Sequence, residues 1–269
     1  MQEKTKLKKY RIPIINAETS KTELAMKLYN VGNRIMNTYI YQVPEGYIMI
    51  DTGYGHSLKK VEKRATRQGI PLSGVNYVFL THAHDDHAGF LNELLSKYPD
   101  IKVILHRRAI PTLLRGQNSF DGGCSGFTAF IFCKFMGLIG KGKHLFPPVE
   151  RQYLDRFMIL SPQNLSAAEN LLQGKILFTP GHTPDSISLK KGNKIFCGDA
   201  AMNGLPSLKR ITIWIENKNA FQNSWNTLIN TKADWIFPAH GKPFKRETLK
   251  KYIRHIPGIK LYRLKRVIK

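Results

Sequence analysis

The segment Tyr77-Val78-Phe79-Leu80 is a short apolar run of strand type, and it leads directly into Thr81-His82-Ala83-His84-Asp85-Asp86-His87-Ala88-Gly89. This junction constrains the chain more than any other feature. Three imidazoles and a carboxylate within six residues would each need a partner or solvent if they were only structural. Imidazole and carboxylate are also the donor types that suit zinc. In extended backbone His82 and His84 point the same way, because side chains alternate with period two. A bend into a following helix then lets Asp86 and His87 address a second position nearby.

Three more candidates each close a strand-like run. His182 lies in TPGHTP after Lys175–Phe178, Asp199 in CGDA after Lys194–Cys197, and His240 in PAHG after Trp235–Phe237. Strand ends that gather on one edge of a sheet are a common place for ligands. Asp51, in Asp51-Thr52-Gly53 after Tyr47–Ile50, has the same placement.

The remaining pattern alternates strands and helices. Asn37–Val43 and Tyr47–Ile50 predict a hairpin across Pro44-Glu45-Gly46. Leu58, Val61 and Ala65 recur at helical spacing up to Gly69, as do Phe90, Leu91, Leu94, Leu95 and Tyr98. Lys102–Leu105 and Ile187–Leu189 read as further strands, and Phe221–Ile229 as a helix. This order predicts a layered α/β protein. Residues 107–170 read as an insertion with some helix, and 255–269 as a basic C-terminal tail on an otherwise single domain spanning 1–269. Within the insertion, Phe127, Phe130, Ile131, Phe132, Phe135, Met136, Leu138 and Ile139 supply more apolar surface than a solvated loop needs. The commoner explanation is a buried helix face or a dimer contact; a substrate lid and a membrane contact are the others.

The motif set THAHDDHAG, TPGHT, CGDA and PAHG resembles the metallo-β-lactamase-fold hydrolase superfamily, from about Asn37 to Gly241. The resemblance implies an αββα sandwich, two mixed sheets face to face with helices outside. It implies two metal ions at one edge, most naturally Zn2+, with iron or manganese as alternatives. Residue by residue, it makes His82, His84 and His182 ligands of the first ion, and Asp86, His87 and His240 ligands of the second. Asp199 matches the carboxylate that bridges both, and Asp51 a residue that supports the site from behind the ligands. The chemistry implied is attack by a hydroxide held between the ions on an ester, thioester or lactone carbonyl of a small-molecule substrate, with Asp86 helping to move a proton.

Departures narrow the choice. The commonest true β-lactamases carry cysteine where this chain has Asp199. Acyl-homoserine lactonases typically place a tyrosine three residues after the bridging aspartate, where Met202 stands; Tyr153 is a distant substitute. Glyoxalase-II-type thioesterases carry a C-terminal helical region for which the 29 residues from Gly241 are too few. Phosphodiesterases acting on nucleic acid, iron-containing relatives that use oxygen, and a metal-binding protein without catalysis remain alternatives.

Charge bears on partners. The 269 residues carry 42 Lys+Arg against 19 Asp+Glu, a formal net of +23. Residues 1–11 and 241–269 together hold +14 of it, five basic against one acidic and eleven against one. Such a surface concentrates anions, so an anionic or acyl-bearing small molecule is expected, with no obligatory nucleic acid. The basic N-terminus has no apolar core of the secretory type and no stretch reaches transmembrane length, so a cytoplasmic location is expected, with a homodimer as one option. Cys124, Cys133 and Cys197 give an odd count without paired spacing, against a disulfide framework.

Overall fold

The computed structural model describes residues 26–264; the basic N-terminal run and the last five residues of the tail lie outside the described residues. The strands in chain order are β1 (Leu28–Asn30), β2 (Tyr39–Val43), β3 (Gly46–Ile50), β4 (Val75–Phe79), β5 (Lys102–Leu105), β6 (Gly123–Cys124), β7 (Phe157–Ile159), β8 (Lys175–Phe178), β9 (Ile187–Lys191), β10 (Lys194–Gly198), β11 (Trp214–Ile215), β12 (Trp235–Pro238) and β13 (Phe244–Lys245). The helices are α1 (Leu58–Thr66), α2 (Leu91–Lys97), α3 (Ile110–Arg115), α4 (Phe127–Leu138), α5 (Leu165–Leu172), α6 (Lys218–Ile229) and α7 (Glu247–Tyr252). One sheet runs β1-β2-β3-β4-β5-β7, a second β13-β12-β10-β9-β8, and β11-β6 forms a small ribbon.

Alternation along the strands builds the layers. In the first sheet Tyr39, Tyr41, Ile48, Ile50, Phe79 and Ile104 face one way and pack against Ile176, Ile187, Leu189 and Phe196 of the second sheet. Their neighbours Ile40, Met49, Val78, Val103 and Leu105 face the other way, onto Leu58, Val61 and Ala65 of α1 and Leu91, Leu94 and Leu95 of α2. In the second sheet Ile195, Cys197 and Ile236 face outward onto Phe221, Trp225 and Leu228 of α6 and Leu249 of α7. Both faces of each central strand are thus covered, which is why those strands read as nearly continuous apolar runs. The result is the expected αββα sandwich, with the hairpin, the helices and the strands flanking each motif close to their expected positions.

Strand direction decides where the strand-end residues go. β3 and β4 pair in parallel, so Asp51 and the Thr81–His87 loop leave the first sheet at the same edge. β10 and β12 are parallel, and β8 and β10 both pair antiparallel with β9, so the loops holding His182, Asp199 and His240 leave the second sheet together. The sheets are tied near this edge: Ile187 donates to the Thr81 carbonyl at 2.9 Å, Ala83 N–H to Asp185 Oδ2 at 2.8 Å, and Asn37 N–H to the Ala239 carbonyl at 2.7 Å.

The stretch 107–170 is not uniform. β7 adds the last strand of the first sheet beside β5, and α5 buries Ala168 and Leu172 between the sheets. α4, by contrast, buries only Ala129 fully. Phe127, Ile131, Phe135 and Leu138 are exposed. The expectation of a buried apolar face is therefore corrected: the inner side of α4 is occupied by the smaller Ala129 and the half-buried Phe130, Cys133 and Met136, and most of the large side chains point outward.

Candidate metal centre

Every residue singled out for metal binding stands at the one sandwich edge. His82 Nε2 and His84 Nδ1 each lie 3.1 Å from His182 Nε2. His182 Nδ1–H donates to the Trp214 carbonyl at 2.8 Å, so its Nε2 presents a lone pair to the other two rings. Burial, and then repulsion among the clustered imidazoles, pushes His82 and His84 well below the usual histidine range. Burial also lowers His182, against the pull of Asp199. Three buried neutral imidazoles converging in this way leave lone pairs that no proton can serve together.

A second cluster adjoins the first. His240 Nε2 stands 3.0 Å from Asp86 Oδ2 and 3.5 Å from Asp199 Oδ1, and His87 Nε2 stands 3.6 Å from the same Asp199 oxygen. The other Asp199 oxygen, Oδ2, faces His182 Nε2 at 3.7 Å. One carboxylate thus addresses both groups with different oxygens. Despite burial, Asp51 and Asp86 raise His87 well above its usual range, and Asp199 and Asp86 raise His240 to about 9. Conversely His240 and His87 hold Asp199 down at about 2 against the effect of burial. His87 Nε2 and Asp199 Oδ1 are buried without a hydrogen-bond partner, which is costly unless a cation satisfies them. The triads His82–His84–His182, His82–His87–Asp199 and Asp86–His87–His240 each have their ligand atoms within 4.8 Å of one another. The donor set therefore fits two divalent ions.

Backbone geometry makes the approach possible. Gly198 has φ +50°, and a Cβ there would fall 2.4 Å from Thr81 Oγ1, so only glycine lets the end of β10 bring Asp199 beside the histidine loop. Gly181 has φ +133° and would clash with the Phe221 backbone at 2.3 Å. Asp51, itself at φ +56°, accepts from Thr81 N–H at 2.7 Å, Thr81 Oγ1–H at 2.8 Å and His87 Nδ1–H at 2.8 Å. His240 Nδ1–H donates to the Ile35 carbonyl at 2.8 Å. The bonds from His87 and His240 fix those two rings so that Nε2 faces inward.

Several surrounding groups carried no signal in the sequence. The Tyr54 phenol stands beside the Asp86 carboxylate, and partial burial with the nearby Asp86 and Asp85 charges raises its pKa. Asn118 spans the histidine loop, accepting from Asp85 N–H at 2.8 Å and donating to Asp85 Oδ1 at 2.7 Å, and His144 Nδ1 reaches the same oxygen at 3.2 Å. Asp185, three residues beyond His182, was the one such residue that a motif could have flagged. Tyr153 packs in the α1–α2 core with Arg156 over its ring, so it does not stand in for a lactonase tyrosine. Cys197 faces the α6 side of the second sheet, buried among its apolar residues and apart from the ligand cluster.

Glu216 is the other unforeseen group. Its backbone N–H donates to the Gly181 and His182 carbonyls, and its Oε1 is buried without a partner. Burial, reinforced by Asp121 and Asp185 and opposed by the nearby Ser119 hydroxyl, raises its carboxyl to about 8. The native state therefore holds this proton where the unfolded chain has lost it, so stability falls as pH rises from about 4.5 through about 8. Glu216→Gln is expected to unfold like the parent near pH 5 and to be more stable by roughly 1–2 kcal/mol near pH 9, after allowance for partial solvent access. Urea titrations at the two pH values check this, and equal stabilities at both would refute it.

A sandwich of this kind with a His/Asp cluster of this composition at its edge defines a metal-dependent hydrolase fold. The pattern of the metallo-beta-lactamase superfamily matches residues 31–240, and the chain belongs to that superfamily. Among its relatives, the probable metallo-hydrolase YflN of Bacillus subtilis is 26% identical over 185 residues, 67% of this chain and 66% of that protein. A beta-lactamase-like protein 2 homolog of Caenorhabditis elegans is 22% identical over 224 residues, 81% of this chain and 61% of that protein. The chain thus spans just under two thirds of the length of these relatives. Among solved structures, a B3 metallo-beta-lactamase with an active-site glutamic acid aligns over 86% of this chain and 85% of its own, with TM-score 0.58 and 17% identity. A metallo-beta-lactamase superfamily protein of Sulfolobus tokodaii aligns over 90% of each chain, with TM-score 0.57 and 18% identity. These likenesses concern the fold.

Proposed function

We propose that the chain holds two divalent ions, zinc by preference, and hydrolyses an ester, thioester or lactone bond in a small acyl-bearing substrate. The observation that carries this is the Asp199 carboxylate, one oxygen turned to the His182 group and the other to His87 and His240. His82, His84 and His182 would hold the first ion, Asp86, His87 and His240 the second, and Asp199 both. When bound, such a pair supplies Lewis acidity, acidifying water and withdrawing charge from a carbonyl oxygen.

The protein's own groups do the rest. Asp86 is partly open to solvent, so it can accept a proton from water and pass it to the departing group. Glu216, protonated at neutral pH, offers a hydrogen-bond donor beside the His182 loop. Asp85, Asp121 and Asp185 add acidic character around these groups, which disfavours a polyanionic phosphodiester and supports the carbonyl reading.

Metal analysis of the purified protein, alongside turnover of nitrophenyl esters, thioesters, lactones, β-lactams and bis-nitrophenyl phosphate, tests the proposal. Two metal equivalents per chain and turnover of carbonyl substrates that is lost on chelation are expected. One equivalent, or cleavage confined to the phosphodiester, would overturn it.

A further inference from the structure

α4 is almost entirely apolar, FTAFIFCKFMGL, yet it stands largely in solvent. Phe127 is 61% exposed, Phe135 56% and Leu138 86%, and Ile131, Phe132 and Ile139 are also exposed. Residues spaced 127, 131, 135 and 138 share one helix face, so these side chains form a continuous strip. A contiguous apolar surface of this kind on a soluble fold marks an interaction site. The opposite side of α4 is held to the body of the protein. Cys124 of β6 exchanges backbone hydrogen bonds with Tyr262 at 2.9 and 3.0 Å, and the Tyr262 ring packs on Phe127 and Phe130. The strip therefore faces away from the sandwich and cannot fold back into its core.

The charged residues of α4, of the segment that leaves it and of the C-terminal segment beside β6 are all of one sign. Lys134 lies within α4, and Lys141 and Lys143 follow it, all exposed. Lys260 and Arg263 are exposed on the C-terminal segment that pairs with β6. No acidic residue occurs between Asp121 and Glu150, and none follows Glu247. A second copy of the chain would bring these cations against their own kind, so the rim argues against self-association. An anionic lipid surface meets both features at once: it accepts Phe, Ile and Leu at the acyl boundary and attracts the flanking Lys and Arg. Among the described residues no helix is long and apolar enough to cross a membrane, so α4 can lie in the interface but not span it.

We propose that α4, with the basic C-terminal segment beside it, is an interfacial anchor that docks this protein on anionic lipid bilayers. The placement also matters for the metal centre. α4 is entered from β6, whose partner strand β11 supplies the Trp214 carbonyl to His182, and the chain leaving it reaches His144, which contacts Asp85 in the histidine loop. Docking would hold the metal edge close to the bilayer surface.

The test is co-sedimentation of the full chain with vesicles of phosphatidylcholine alone and of phosphatidylcholine mixed with phosphatidylglycerol. Binding to the mixed vesicles is expected, weakened by high salt and far weaker on phosphatidylcholine alone. I131S/F135S/L138S alters only exposed side chains and should abolish binding while melting temperature and metal content stay those of the parent. K134E/K141E should lower the partition coefficient by at least about tenfold on the mixed vesicles. Parent protein that ignores anionic vesicles at low salt would overturn the proposal, as would a serine variant that binds like the parent. A concentration-dependent dimer that the serine variant dissociates, without vesicle binding, would assign the strip to a second copy instead. A serine variant that changes only KM for acyl esters would assign it to a substrate lid.

Discussion

Asp199→Asn is expected to strip metal from both positions and to lower turnover on the order of 10³-fold, a loss of about 4 kcal/mol in transition-state stabilisation. The substitution keeps the size of the side chain, so the sandwich should melt near the parent temperature. What it removes is the charge that faces both clusters, Oδ2 towards His182 Nε2 and Oδ1 towards His87 and His240 Nε2. Without it, Asp86 is the one carboxylate left within the cluster to offset two dications, and their mutual repulsion is no longer screened. Metal stoichiometry and kcat on the best ester or lactone read the effect together. Parent-like turnover in a protein that has lost its metal would refute a bridging role, and full metal retention would refute it from the other side.

The second large effect is one of stability. Asp51→Ala should cost about 3–5 kcal/mol, because the carboxylate is buried and its removal leaves the buried Thr81 N–H and His87 Nδ1–H donors without an acceptor. It accepts three hydrogen bonds of 2.7–2.8 Å, two from Thr81 and one from His87, and these fix the start of the histidine loop. Asp51 also keeps His87 Nε2 turned towards Asp199, so metal affinity at the position that includes His87 should fall by about 10–100-fold. Should the alanine variant fail to fold, Asp51→Asn serves as the gentler case. Its amide oxygen can still accept one bond but cannot serve the Thr81 and His87 donors together. Urea unfolding with and without chelator separates the structural loss from the loss of metal. A variant as stable as its parent would show that the buried network is dispensable.

Both residues were already marked by their strand-end positions in the sequence. The strands, the principal helices and the seven clustered side chains were legible because each has a short-range cause. Alternating apolar residues dictate strands with two buried faces, helical spacing dictates α1, α2 and α6, and imidazoles packed as His82-Ala83-His84 have few structural uses. The strand-end positions of His182, Asp199 and His240 were legible one at a time, and parallel pairing of β3 with β4 and of β10 with β12 brings them to one edge.

The tertiary structure decided what depends on contacts between distant segments. No local pattern predicts that Glu216 is buried beside Asp121 and Asp185, because its proton is set by desolvation and by neighbours remote in sequence. Nor could spacing tell that Tyr54 rather than Tyr153 reaches the Asp86 carboxylate. The apolar run of α4 shows the limit most plainly. Hydrophobicity measures the cost of exposing a side chain to water, and it says nothing of whether a partner face exists within the same chain. For α1, α2 and α6 the sheets supply that face; for the outer strip of α4 the described residues supply none. The sequence therefore determined the layers and the composition of the metal edge, whereas packing determined which polar groups attend that edge and left one apolar surface turned outward.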